Sequence, residues 1–138
     1  MLELVAAKQQ DRDLVAWLEQ FYLYDFSAFT DCTLLQDGVF LAINSFEEIW
    51  TDPELFTFIL CAKTEPAGLA IVRRLAHEAY DMEQFFVLRK FRRTGAGTAA
   101  AQALFQKFPG AWTVRQIPQN KAAQSFWRRV IDAYTNGA

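Results

Sequence analysis

The stretch Arg92-Arg93-Thr94-Gly95-Ala96-Gly97-Thr98 carries the clearest chemistry in this chain. Two arginines supply positive charge and the paired donors that phosphates accept. Two glycines, one residue apart, let the backbone turn sharply and come close to a ligand, because a Cβ would intrude or forbid the dihedrals. Thr98 adds a hydroxyl. A glycine turn that opens a helix also gathers backbone N–H groups at the positive end of the helix dipole, so residue types and spacing together specify an anion site. Other reactive residues are few. The single histidine, His77, lies in the polar run Arg73-Arg74-Leu75-Ala76-His77-Glu78 and reads as a solvated turn residue, and one histidine cannot build a histidine-based metal site. Cys32 and Cys61 show neither CxxC nor Cys/His spacing, so no metal is expected.

The anion site needs a strand before it and a helix after it. Ala79 to Leu88 reads as that strand, aromatic and interrupted by Asp81, Glu83 and Gln84. Thr98 to Phe108 carries Ala99, Ala103, Leu104 and Phe105 among good helix formers and stops at Pro109-Gly110. Alternation from Ala111 to Ile117 marks another strand, so the unit is a parallel pair joined by a right-handed crossover. Asn120 leads into an amphipathic helix with Ala123, Phe126, Trp127, Val130 and Ile131 on its apolar side. Upstream, Leu55 to Ala62 and Leu69 to Arg74 form a β-hairpin about a turn at Lys63 to Gly68. The N-terminal half predicts a short strand at Leu2 to Val5 and a helix from Leu14 to Tyr22, capped by Asp11 or Asp13. After it come an irregular connection to Leu35, a strand candidate at Val39 to Ile43 and a helical turn at Phe46 to Trp50. The order β-α-(α)-β-β-β-α-β-α describes one α+β domain over residues 1–138.

Bulk properties agree with a single core. The chain has 138 residues, half of them apolar, and 13 Phe spread along its length. A net charge of -2 argues against a general nucleic-acid binder, which would be basic. No run approaches the ~18 apolar residues of a membrane span. The N-terminus lacks a signal peptide's charged start and long apolar stretch, so a reduced, cytoplasmic protein is expected.

Gly95-Ala96-Gly97-Thr98-Ala99-Ala100 fits the G-x-G-x-x-A of dinucleotide-binding folds. That fold wants an acidic residue about 20 positions onward, where this chain has Arg115 and Gln116. A Walker loop fails because no Gly-Lys-Ser/Thr follows. What fits is R-x-x-G-x-G, Arg92-Arg93-Thr94-Gly95-Ala96-Gly97, five residues after Val87. This resembles the coenzyme A signature of the GNAT superfamily of N-acetyltransferases. The likeness extends to the preceding hairpin, the Pro-Gly helix stop, the following strand and Asn120-x-x-Ala123-x-x-Phe126-Trp127, covering about residues 80 to 131. Within the superfamily the chain is similar to small predicted bacterial acetyltransferases with a Phe-Phe-Val-Leu-Arg-Lys strand.

The resemblance implies a GNAT-like mixed, mostly antiparallel sheet, with the parallel crossover at the coenzyme site and helices flanking it. It implies an acetyl-CoA-dependent transfer of acetyl to a primary amine by direct transfer. The cofactor would be bound by Phe86, Val87, Leu88, Arg92, Arg93, Thr94, Gly95, Ala96, Gly97, Thr98 and Asn120. The pantetheine arm would lie along Val87 as an added strand, with Asn120 on its other side. Acyl transfer needs a neutral amine, a donor to the oxyanion and a proton for the thiolate. Backbone N–H groups at Val87 or Leu88 would meet the second need. For the first, Glu83 stands where related enzymes place a carboxylate acting through water; a sheet glutamate paired with an arginine is the plain alternative, and Asp81 is a weaker candidate. For the third, the family's tyrosine is replaced by Trp127, whose indole only donates. Water, Ser125 or Tyr134 would then supply the proton, or the domain binds acyl-CoA without catalysis. The acceptor would be a small-molecule or peptide amine, with no nucleic acid or membrane partner. Family members continue into further strands, so the early stop predicts an open sheet edge, arising either because the final strands are missing from this chain or because a partner chain supplies them, as in a homodimer through that edge.

Overall fold

The structure, a computed structural model, describes residues 2–41 and 46–137. Five strands form one sheet in chain order: β1 (Leu2–Ala6), β2 (Leu55–Ala62), β3 (Glu65–Ala76), β4 (Ala79–Val87) and β5 (Ala111–Thr113). The first three pairings are antiparallel, and β4 with β5 is parallel. Helices α1 (Arg12–Phe26) and α2 (Phe46–Thr51) precede β2, α3 (Ala96–Lys107) makes the crossover from β4 to β5, and α4 (Lys121–Thr135) follows. This is the expected α+β architecture.

Each face of the sheet buries its own apolar set. On one side Phe58, Leu60, Ala70, Val72, Met82 and Val87 pack against Ala100, Ala101 and Leu104 of α3 and Trp127 and Val130 of α4. On the other, Ile59, Leu69 and Ile71 pack against Val15 and Leu18 of α1 and Ile49 of α2. Period-2 alternation along β2 and β3 sends neighbouring residues to opposite faces, and each fully buried Leu or Ile contributes about 1.5–3 kcal/mol. The small residues Ala96, Ala100 and Ala101 let α3 lie close to the sheet.

Four expectations change. Lys63-Thr64 alone makes the turn between β2 and β3, with Lys63 at φ +58, while Glu65 and Pro66 already pair with Ala62 and Cys61. α3 begins at Ala96, two residues early, because Gly95 at φ +81 acts as its N-cap. β5 ends at Thr113: Val114 to Ile117 alternate without a ladder, since alternation reports two-sided packing and not a pairing partner. Of the candidate strand Val39 to Ile43, Phe40 makes only a single bridge to Leu34, and residues 42 and 43 lie outside the described residues. His77 sits in the β3–β4 turn with its side chain 93% exposed, so it is a solvated turn residue.

Candidate active site

β4 changes partner along its length, and this makes the cleft. Ala79, Tyr80 and Asp81 pair with Ala111, Trp112 and Thr113; beyond Asp81 the side of β4 away from β3 has no strand partner among the described residues. The register with β3 also slips between Ile71 and Val72, where Gln84 and Met82 are the partners and Glu83 is the extra residue of the bulge. Arg115 pins the divergence point by donating to Asp81 Oδ2 at 2.7 Å. A separate hollow of about 390 Å³ lies between Val114 and Gln116 on one wall and Gln124, Trp127 and Arg128 of α4 on the other, and no residue of β4 or of the glycine turn lines it.

The backbone of the β4 tip divides its groups between the two sides. Leu88 N–H donates to Ala67 O at 2.8 Å, so by antiparallel alternation Phe86 also faces β3, whereas the N–H and C=O of Val87 face the open side. Of the three residues expected to address the coenzyme, Val87 alone presents backbone to the cleft. The Leu88 N–H is thereby occupied within the sheet. The Phe86 ring turns to the other face, 5.6 Å from Tyr22.

The glycine turn is ordered by its own side chains. Thr94 Oγ1 donates to Phe91 O at 2.9 Å and accepts from Ala96 N–H at 3.3 Å. The first intrahelical bond runs from Ala99 N–H to Gly95 O, leaving Gly97 and Thr98 in the open first turn, whose donors point along the helix axis. Gly95 is glycine for its left-handed φ, and a Cβ there would meet nothing within 4 Å. Gly97 is different: its φ is not left-handed, and a Cβ there would sit at ordinary contact distance from Phe126, 3.4 Å, and the Val87 side chain, 3.6 Å. Arg93 stands exposed at φ +62.

Arg92 does not face the turn. Its Nε donates to Val87 O at 2.7 Å, its terminal nitrogen to Asp25 Oδ2 at 3.1 Å, and its guanidinium lies 5.5 Å above the Phe86 ring. Asp25, in the last turn of α1, also accepts from Arg89 at 2.9 Å. Asn120 is the N-cap of α4, its Oδ1 accepting from Ala123 N–H at 3.0 Å; a side-chain amide immediately ahead of a helical run is the sequence signal for this role.

On the α1 and α2 face the same strand is lined with charge. Glu83 accepts from Arg73 at 2.7 Å, and Arg73 also donates to Glu48 at 2.6 Å and Asp52 at 3.2 Å. These contacts raise the Arg73 pKa above the ordinary arginine value, the Glu83 hydrogen bond first and the Glu48 bond next. The buried Gln84 donates to Glu19 at 2.7 Å. Neither the full Arg73 clamp nor the Asp25 pair has a signal in the spacing of the sequence.

Trp127 is core. It is 7% exposed, with its ring edge-on to Phe85 at 5.1 Å and to Phe126 at 5.0 Å. Tyr134 rests on Phe105 at 5.3 Å, and at 1.5 Å per residue it lies about 20 Å along α4 from the Asn120 end. Ser125 is exposed, one turn from Asn120.

The sequence pattern of the acetyltransferase (GNAT) family matches residues 11–131, a span that includes α1, the glycine turn, β5 and most of α4. The chain belongs to this family. Among solved structures it is similar to an acetyltransferase from Thermus thermophilus, at 18% identity and a TM-score of 0.74, over 94% of this chain and 84% of that one. It is similar also to the ribosomal-protein-S18-alanine N-acetyltransferase of Escherichia coli, at 15% identity and a TM-score of 0.65, over 94% and 76% of the two chains. A ribosomal L7/L12 alpha-N-protein acetyltransferase solved with coenzyme A gives 16% identity and a TM-score of 0.65, over 94% and 78%. Comparison with curated proteins found no match. The family makes this GNAT domain an acetyltransferase, and no described helix is long and apolar enough to cross a membrane.

Proposed function

We propose that this GNAT domain moves an acetyl group from acetyl-CoA to a primary amine by direct transfer. One observation carries the reading: β4 loses its strand partner after Asp81 while Val87, at the far end of that open edge, faces the gap next to the first turn of α3. An extended chain fits such an edge as an added strand, and a pyrophosphate fits the helix N-terminus. A neighbour of this fold was solved with coenzyme A. When bound, acetyl-CoA supplies an activated thioester carbonyl. The chain's own residues bind and orient it: Gly97 and Thr98 through the first-turn N–H groups, Arg93 by charge, and Val87 through its N–H to the arm or to the charge developing on the acyl oxygen. The Asn120 amide nitrogen, left over after its oxygen caps α4, is a donor for the arm. Glu83 is the proposed base, oriented by Arg73 and drawing the amine proton through water.

A non-catalytic acyl-CoA-binding domain is the second reading, and buried Trp127 is the observation that favours it, since it removes the family's tyrosine acid. Both readings require coenzyme A to raise Tm. Only transfer requires thiol release from acetyl-CoA with a panel of primary amines that includes protein N-termini, and Glu83→Gln should cut kcat about 10²–10³-fold while coenzyme binding holds. No turnover across that panel, with binding intact, would establish the second reading.

A further inference from the structure

We infer that Asp25 is a positioning residue for the coenzyme cleft, acting through Arg92; this rests on the function proposed above. Asp25 stands in the last turn of α1, where the helix dipole disfavours a carboxylate, so helix stability does not explain its presence. Its contacts do. One oxygen takes Arg89, at 2.9 and 3.3 Å, and the other takes Arg92 at 3.1 Å. Arg92 in turn closes a ring onto the backbone five residues behind it, Nε to Val87 O at 2.7 Å. Val87 is the residue whose backbone faces the cleft, and the chain between Val87 and Arg92 leads into the glycine turn. The tether therefore fixes the angle between the open strand edge and the first turn of α3. It holds only while the guanidinium is kept over Phe86, at 5.5 Å, and Asp25 is the carboxylate that holds it there.

An arginine at the head of a phosphate loop would ordinarily be assigned to the phosphates. Here Asp25 assigns it to the strand end, and the direction of the Asp25→Asn effect separates the two roles. If Asp25 positions the loop, Asp25→Asn should raise the Kd for coenzyme A, measured by calorimetry, about five- to tenfold with Tm nearly unchanged. Arg92→Gln should do the same. The double variant should bind no more weakly than Arg92→Gln alone, because the carboxylate acts through the guanidinium. Arg89→Gln, which removes the other and more exposed partner, should leave Kd within about twofold. Unchanged or tighter binding by Asp25→Asn, or additive losses in the double variant, would overturn the inference while the proposed function stands. Failure of the unmodified chain to bind coenzyme A would instead bring down the proposed function and this role with it.

Discussion

The two faces of β4 are built by different means. Toward α3 and α4 the strand presents Phe85 and Val87 to Ala100, Ala101, Leu104 and Trp127, and the proposed cofactor contacts come from backbone N–H groups and small residues. Toward α1 and α2 it presents Asp81, Glu83 and Gln84, held by Arg115, Arg73 and Glu19. A backbone site tolerates many side chains but few changes of backbone geometry. A side-chain site has the opposite sensitivity, since each charge is satisfied only by partners brought from elsewhere in the chain.

Four substitutions test that contrast, from the largest expected effect down. Gly68 lets β3 lie against the β4 tip: a Cβ there would stand 2.1 Å from Phe86 O, with no flexible atom to yield. Gly68→Ala should cost about 3–5 kcal/mol in urea unfolding, although it adds one methyl group. A cost under about 1 kcal/mol would mean that backbone fit does not govern this end of the sheet. Arg73→Met takes the guanidinium from three carboxylates at once, and about 1–3 kcal/mol should be lost, discounted because the Arg73 side chain is 25% exposed. If this variant were as stable as the parent, the charged face would be a solvated cluster and not a structural one. Trp127→Phe should cost about 1 kcal/mol and leave kcat unchanged, as a core position requires; a collapse of kcat alone would return Trp127 to the chemistry.

The smallest effect is a matter of pH. Burial first, and then the Asp25 charge, raise the Tyr22 pKa above its ordinary value of about 10. The folded state thus prefers the neutral phenol. Its contribution is fully present below the ordinary value and lost as pH rises through the raised one. Tyr22→Phe should flatten the decline of Tm above about pH 10, and an unaltered alkaline limb would show that Tyr22 does not titrate in the fold.

The same contrast explains what can be read in the sequence. β2 is legible to the residue at Leu55–Ala62 and β4 nearly so, because apolar runs bounded by turns are local information. The glycine turn is legible for the same reason, since R-x-x-G-x-G places its parts within six residues. What escapes is long-range. Arg73 meets carboxylates 10, 21 and 25 positions away, and Arg92 meets Asp25 at a separation of 67. Spacing along a chain says nothing of such pairs, so the motif points Arg92 at a phosphate while its partner lies on α1. Glu83 is legible as an important carboxylate, but its pairing with Arg73 only as one of two readings.

The sheet order, which follows the chain order from β1 to β5, has a consequence for how the domain assembles. β2, β3 and β4 are joined by turns of two residues each, Lys63-Thr64 and His77-Glu78, and such hairpins close within microseconds. β5 can dock only after α3 has formed and crossed the sheet, and it is then held by three residue pairs. Those pairs have the least to lose on opening, so amide exchange should be fastest along Ala111–Thr113 among the strands and slowest along β3. The cleft begins where this last-formed strand ends, at Asp81 and Thr113, so parting three residue pairs would lengthen the open edge of β4 while the hairpins stay intact.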